Sequence, residues 1–349
     1  MADNPSGAQP SAAPPTTLQQ GRWYESQGRF HEAVACYAQA RAELVAAAPP
    51  EGVDRRALSV VCMNRGSALR QIGDEASLRA SLAAYDEAIA LQRSLPLTED
   101  PLAMNSLGAA LMNRGQLLHR LHGVTKAQEA VQSYLEAEAL LRLLAAATDH
   151  PAPLRNLTGT LVNRANILLD VGQFPAAAAV AREALSLVAA AERADPVAAG
   201  LALLARRSLC DALGQLLGQP GTDQHAIATE ASDIVDDGLA TARHWTAQGE
   251  RAYDQIAARL FLFGARLYCL HQPQFLAEFL LEHLEAHPDP ELIAIAQEAL
   301  TAALANLQKP QQHFFAGTPS GEKTLEISRS LREALAQLSP PPPPAPAPA

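Results

Sequence analysis

The chain has 349 residues and a formal charge of −10, from 37 acidic and 27 basic side chains. That balance argues against broad attraction to nucleic acid or an anionic membrane, because phosphate-binding surfaces are ordinarily basic. Aromatics are only 5% of the chain, and its 48% hydrophobic content is largely Ala and Leu, strong helix formers, with no convincing alternation of β-branched residues to suggest a sheet. Four cysteines, Cys36, Cys62, Cys210 and Cys269, are scattered singly. Without a CxxC pair they suggest neither a zinc site nor a disulfide framework, and each reads as a small buried hydrophobe.

Residues 1–16 are rich in Pro, Ala and Ser, with neither the basic segment nor the apolar run of a secretory signal. They are expected to be a disordered tail, since they lack apolar side chains to offset ordering entropy. No uncharged apolar run reaches membrane-spanning length, so a cytoplasmic setting is expected. The Ala and Pro richness points to a GC-rich bacterial genome.

The repeat body is expected over residues 17–307. Met63-Asn64-Arg65-Gly66 recurs as Met112-Asn113-Arg114-Gly115 and again as Val162-Asn163-Arg164-Ala165, at offsets of 49 and 50 residues. A fixed period of this size marks stacked units, each too small to bury its apolar face alone. The first hairpin reads Gly21, then Gly28 as a break, then Ala33, Tyr37 and Ala40 at helical spacing. The second has Gly66, Leu69 and Gly73 before Ser81, Tyr85 and Ala88. The third has Gly115, Leu118 and Gly123 before Ala130, Tyr134 and Ala137. The fourth has Ala165, Leu168 and Gly172 before Ala177, Ala181 and Ala184. Small residues at these points allow close helix approach, while Tyr37, Tyr85 and Tyr134 fill the space between layers.

A fifth hairpin is expected to start near Leu201, turn at Gly218–Gly221 and return through Ile227 to about Gln248. A sixth pairs Tyr253–His271 with Phe275–His287 and gathers the aromatics Phe261, Phe263, Tyr268, Phe275 and Phe279. Pro290–Leu307 reads as a capping helix, since repeat arrays need an atypical end unit. Residues 308–338 hold a loop with Phe314-Phe315 and then an amphipathic helix, Ser320–Leu338, striped by Leu325, Leu331, Leu335 and Leu338 beside Ile327. It is expected to dock on the last hairpin or on a second copy, which would make a homo-oligomer. Residues 339–349 contain seven prolines and read as an extended polyproline spacer.

This succession of small-residue and aromatic spacings resembles the tetratricopeptide repeat, a helix-turn-helix unit of 34 residues. The resemblance covers residues 17–195, and 197–285 more loosely. The period here is 47–50, with extra residues expected in the turns around Glu75–Arg79 and Val124–Gln128 and longer helices at Leu91–Leu95 and Leu140–Ala147. The resemblance implies an all-α right-handed solenoid of helical hairpins with a C-terminal helical cap.

Chemistry-bearing motifs are absent: no Gly-rich phosphate loop, no GxSxG elbow and no HExxH helix. His119 and His122 lack an identifiable third ligand, and the run Asp233, Asp236 and Asp237 reads as a solvated helix face, so neither a metal site nor a cofactor is expected. Arg65, Arg114 and Arg164 recur with Glu87, Glu136 and Glu183. The first unit has Gln20 and Gln39 at the equivalent places. An ion pair between the two helices of each hairpin accounts for that co-occurrence. The resemblance implies that Asn64, Asn113 and Asn163 face a concave groove and bond the backbone of a partner chain. An amide suits this by offering both a donor and an acceptor. Ser67, Gln71, Gln116, Arg120 and Asn166 would extend that groove. The expected function is a non-enzymatic adaptor or scaffold binding a protein or peptide partner. The alternative is a ligand- or peptide-sensing subunit that controls an effector enzyme.

Overall fold

The structure is a computed structural model that describes residues 16–48, 52–286, 289–307 and 319–338. Within them every regular element is helical, and no strand occurs. The expected disorder of both chain ends and the Phe314-Phe315 loop lie outside the described residues, except Thr16. That residue is no part of a tail: its hydroxyl accepts from the Gln19 amide while the Gln19 side chain accepts from the Thr16 amide, a capping box on the first helix. Backbone contacts divide the chain into two units, Met1–Asn163 and Arg164–Ala349.

The first unit holds α1 (Thr17–Ser26), α2 (Phe30–Ala46), α3 (Arg55–Ile72), α4 (Glu75–Arg93), α5 (Pro101–His122), α6 (Ala127–Ala147) and the first part of α7 (Pro151–Asp170). Consecutive helices pack as hairpins, α1 with α2, α3 with α4, α5 with α6. The turns follow local chemistry. Gly73 ends α3 at φ +82, a left-handed conformation that costs glycine little. Asp74 then caps α4 by accepting from the Ser77 amide at 2.9 Å and the Ser77 hydroxyl at 2.7 Å. Glu75–Arg79, expected to lengthen the turn, therefore forms the first turn of α4. The longer turn in the third hairpin is real: Gly123–Lys126 makes a short 3₁₀ segment before α6.

The core of each hairpin here is a tyrosine laid on a glycine. Tyr37, Tyr85 and Tyr134 are 0%, 1% and 1% exposed. A methyl placed on Gly21, Gly66 or Gly115 would stand 2.6, 3.0 or 2.7 Å from the facing ring. The tyrosine fills the interhelical space only because the opposite helix has no side chain there.

The second unit continues with the end of α7, then α8 (Phe174–Val188), α9 (Pro196–Leu216), α10 (Gln224–Thr246), α11 (Asp254–His271), α12 (Pro273–Ala286), α13 (Pro290–Leu307) and α14 (Pro319–Leu338). The same device reappears with other rings. A Cβ on Gly264 would meet Phe279 at 2.5 Å, and one on Gly214 would meet Phe263 at 2.9 Å. The helix α14 packs on α12 and α13 of its own unit, burying Leu331 and Ala334 with Ile327, Leu335 and Leu338 against the core. Leu325, expected in that stripe, is instead 61% exposed. A four-residue step from Leu331 to Ile327 keeps the apolar seam, and a six-residue step to Leu325 leaves it.

Overpacking gives a direct test. Gly115→Ala should cost about 1–3 kcal/mol, since the Tyr134 ring has no room to retreat. The melting temperature should drop by several degrees, at roughly 2–4 °C per kcal/mol for a body of this size. A melting curve within a degree of the parent would mean that the ring swings aside freely.

Candidate functional site

The recurring arginines and glutamates come together, but not as the sequence pattern suggested. Glu87 is bound by Arg41, whose Nε and Nη2 lie 3.1 and 2.7 Å from its Oε1. Glu136 takes both its contacts from Arg93 Nη2, at 2.7 Å. Both bridges join second helices of successive hairpins, α2 to α4 and α4 to α6, rather than the two helices of one hairpin. In the second unit Arg182 grips Glu230 with a two-pronged contact of 2.5 and 2.8 Å, linking α8 to α10 in the same manner. Arg114 also reaches backward. Its Nε meets Asp86 at 2.7 Å, and its Nη1 donates to Ser133 at 2.7 Å. Arg65 has no acid at the matching place, where Ala38 stands one position after Tyr37, and its Nε is shielded without a hydrogen-bond acceptor. Arg164 and Glu183 each take part in polar or electrostatic interactions, and their pairing with one another stays an expectation.

The polar face of the first helices in unit one is built from α3, α5 and the start of α7. Asn64, Asn113 and Asn163 are all half-buried. The Asn64 Nδ2 is shielded from solvent and makes no hydrogen bond. Ser67 is half-buried and Gln71 exposed on the same helix. Gln116 accepts from Arg70 Nη1 at 3.1 Å. Arg120 donates to the Gly73 carbonyl at 3.4 Å, a cation at the C-terminus of α3. Asn156 donates to Asn105 at 3.0 Å, fixing α7 beside α5. Gln116 and Arg120, placed by the sequence in the groove floor, thus also tie neighbouring first helices together.

In unit two, Asn166 lies in a cleft of about 390 Å³ with Phe174, Arg207, Asp211, Gln215 and Arg259, supplied by α7, α8, α9 and α11. The Ser208 hydroxyl donates to Asn166 at 2.7 Å and holds it in place. Partial burial raises the Asp211 carboxyl above its ordinary range, against the opposing pull of Arg207 and Arg259. Sequence reading missed Arg207, Asp211, Gln215 and Arg259, because none recurs with the period. A second cleft, on α10–α12, contains Asp233 and Asp236 of the acidic run. No group of three His, Cys, Asp or Glu side chains in the described residues is placed to hold a metal ion, and no described helix is long and apolar enough to cross a membrane. Burial pushes the Cys62 thiol up to about 12, which leaves it chemically quiet.

No protein-family model and no curated protein matches the chain. Solved structures do. A signal transduction ATPase with numerous domains, carrying a tetratricopeptide repeat sensor, from Pyrococcus horikoshii, aligns at TM-score 0.56 and 14% identity over 92% of this chain and 41% of that one. This chain thus spans about two-fifths of that protein. BtubC (BKLC) from P. vanneervenii aligns at TM-score 0.46 and 16% identity, over 78% of this chain and 97% of that one. The nuclear import adaptor Nro1 of S. pombe aligns at TM-score 0.36 and 11% identity, over 90% and 96%. The fold is that of a tetratricopeptide-like all-α helical repeat.

The ion pairs fall into two energetic classes. Glu136→Gln removes a solvent-exposed contact and should cost under about 1 kcal/mol. The Arg206–Glu192 pair is buried, with contacts of 2.5 and 3.0 Å and side chains 4% and 12% exposed. Arg206→Ala should therefore cost about 3–5 kcal/mol, the consequence of stranding a charge away from water. Urea unfolding of the two variants distinguishes the classes, and equal losses would refute the division.

Proposed function

We propose that the chain is a non-enzymatic protein-interaction repeat that holds a protein or peptide partner against the polar faces of its first helices. The supporting observation is the state of the asparagines. Asn64, Asn113 and Asn163 occupy matching points of α3, α5 and α7, and Asn64 keeps an amide nitrogen without an acceptor. The Asn64 nitrogen is shielded, so the row would engage an extended partner chain through its amide oxygens, which can accept from backbone N–H groups. The arginine-bearing cleft with Asn166 supplies a second polar surface of the same kind in unit two, suited to acidic groups on the partner.

The alternative is a ligand-sensing regulatory subunit. It draws on the likeness to a protein whose repeat part is described as a sensor. On that reading, ligand addition should change the hydrodynamic radius, whereas an adaptor needs no such response.

Panning the full chain against a displayed library of random peptides supplies a binder directly. Replacing Asn64, Asn113 and Asn163 together with Ala removes up to three backbone contacts of roughly 0.5–1.5 kcal/mol each, so affinity should fall by about one to three powers of ten. Melting should change little, because the substitution also removes the unmet Asn64 donor. Peptide binding that survives intact in a folded triple variant would move the partner surface elsewhere.

A further inference from the structure

The second cleft of unit two lies between α10 and α12 and is closed at one end by the last turn of α11. It encloses about 540 Å³, within the size range of small-ligand pockets. Its apolar lining is aromatic. Tyr268, Phe279 and His283 are more than nine-tenths buried, and Phe275 stands 49% exposed at the rim. The rings are ordered: Tyr268 lies 4.7 Å from Phe279, and Phe279 stacks on His283 at 5.5 Å. Around this floor stand four carboxylates, Asp233 and Asp236 from α10, Glu278 and Glu282 from α12. Among the described lining residues, the basic side chains are Arg243, His225 and His283. Arg243 approaches Glu282 at 3.6 Å, and the Tyr268 hydroxyl donates to Asp236 at 3.1 Å. Among the described residues, Asp233 and Glu278 make no ion pair with an arginine or lysine.

We infer that this cleft binds a guanidinium group, with the planar cation laid against the exposed Phe275 ring at the rim and its N–H fork directed to the carboxylates of α10 and α12. The chemistry is selective. Aromatic faces attract a cation, and a flat delocalised one stacks on them while keeping its edge free for hydrogen bonds. Carboxylates accept two parallel N–H bonds from that edge. Arg243 already shows that the cleft receives a guanidinium, and the charge count leaves room for another. The uncompensated field registers on Asp236. Partial burial raises its carboxyl above the ordinary range, Glu282, Asp233 and Asp237 push the same way, and the Tyr268 bond opposes them. A bound cation would relieve that crowding. This site stands on second helices and the end of α11, apart from the first-helix cleft that holds Asn166, so either can fail without the other.

The test titrates the full chain with peptides of blocked ends that carry one arginine, one lysine or one citrulline, alongside free arginine amide. Binding is followed by NMR of the aromatic and methyl signals. The arginine peptide should shift the signals of Phe275 and Tyr268, and the neutral citrulline peptide should not. Tighter binding of the peptide than of arginine amide assigns the source as a protein partner, and equal binding assigns it as a free small molecule. Asp233→Asn with Glu278→Gln should weaken the arginine peptide by on the order of tenfold, the scale of one lost charge-assisted contact. Both groups are exposed, so melting should hold or rise as like charges are removed. Equal binding of lysine or citrulline, or unchanged affinity in the double variant, overturns the assignment.

Discussion

The first unit depends on a ring meeting a missing side chain. In each hairpin the tyrosine of the second helix occupies the volume that a Cβ on the first helix would need. The two helices approach at the glycine, and the ring prevents a void from opening beside it. The hydroxyl still needs a partner when its ring is buried, and Tyr37 finds one in Glu25 at 2.7 Å. Because burial disfavours phenolate, the pKa of all three hydroxyls is raised above the ordinary tyrosine value. In the fourth hairpin Ala165 and Ala181 take the places of glycine and tyrosine, and both are fully buried. A pair of small residues is thus a second solution to the same packing constraint.

The fold was legible because that constraint leaves a period in the sequence. Gly66 and Tyr85, and Gly115 and Tyr134, are each separated by 19 residues, so helix, turn and return helix could be counted from the spacing. The helix expected over Pro290–Leu307 also appeared at those bounds, although α14 packs on it and it is not the last described element. The ion pairs were legible as residues but not as partners. Recurrence at one period cannot distinguish a contact inside a hairpin from a contact to the preceding hairpin, since both repeat identically.

The site was legible only where it repeats. Asn64, Asn113 and Asn163 drew notice through their spacing, and the structure sets them at matching points of three first helices. The clefts of unit two had no such signature. Arg207, Asp211 and Gln215 sit on one helix and Arg259 on another, and nothing in the linear order pairs them. Asp233 and Asp236 were visible as an acidic run, but Glu278 and Glu282 lie more than forty residues later, across a turn between helices. Non-periodic chemistry brought together by tertiary packing leaves no local trace, whereas periodic packing leaves a strong one.

These observations divide the labour between the two helices of a hairpin. Second helices give their charges to one another: Arg41 to Glu87, Arg93 to Glu136, Arg182 to Glu230. Each bridge is exposed and weak singly, yet each fixes the register of one hairpin on the next inside its own unit. First helices also give groups to this purpose, Asn156 bonding Asn105 and Ser208 bonding Asn166. Arg114 bonds backward, as do Gln116 and Arg120, but among the described residues Asn64 and Asn113 hold no such bond, and Asn64 retains a shielded nitrogen. Had the asparagines been selected as struts, the ordinary rule that buried donors are satisfied would have put acceptors beside them. The first-helix amides thus fall into two groups: Asn105, Asn156, Gln116 and Asn166 bond to neighbouring first helices, while Asn64 and Asn113 do not.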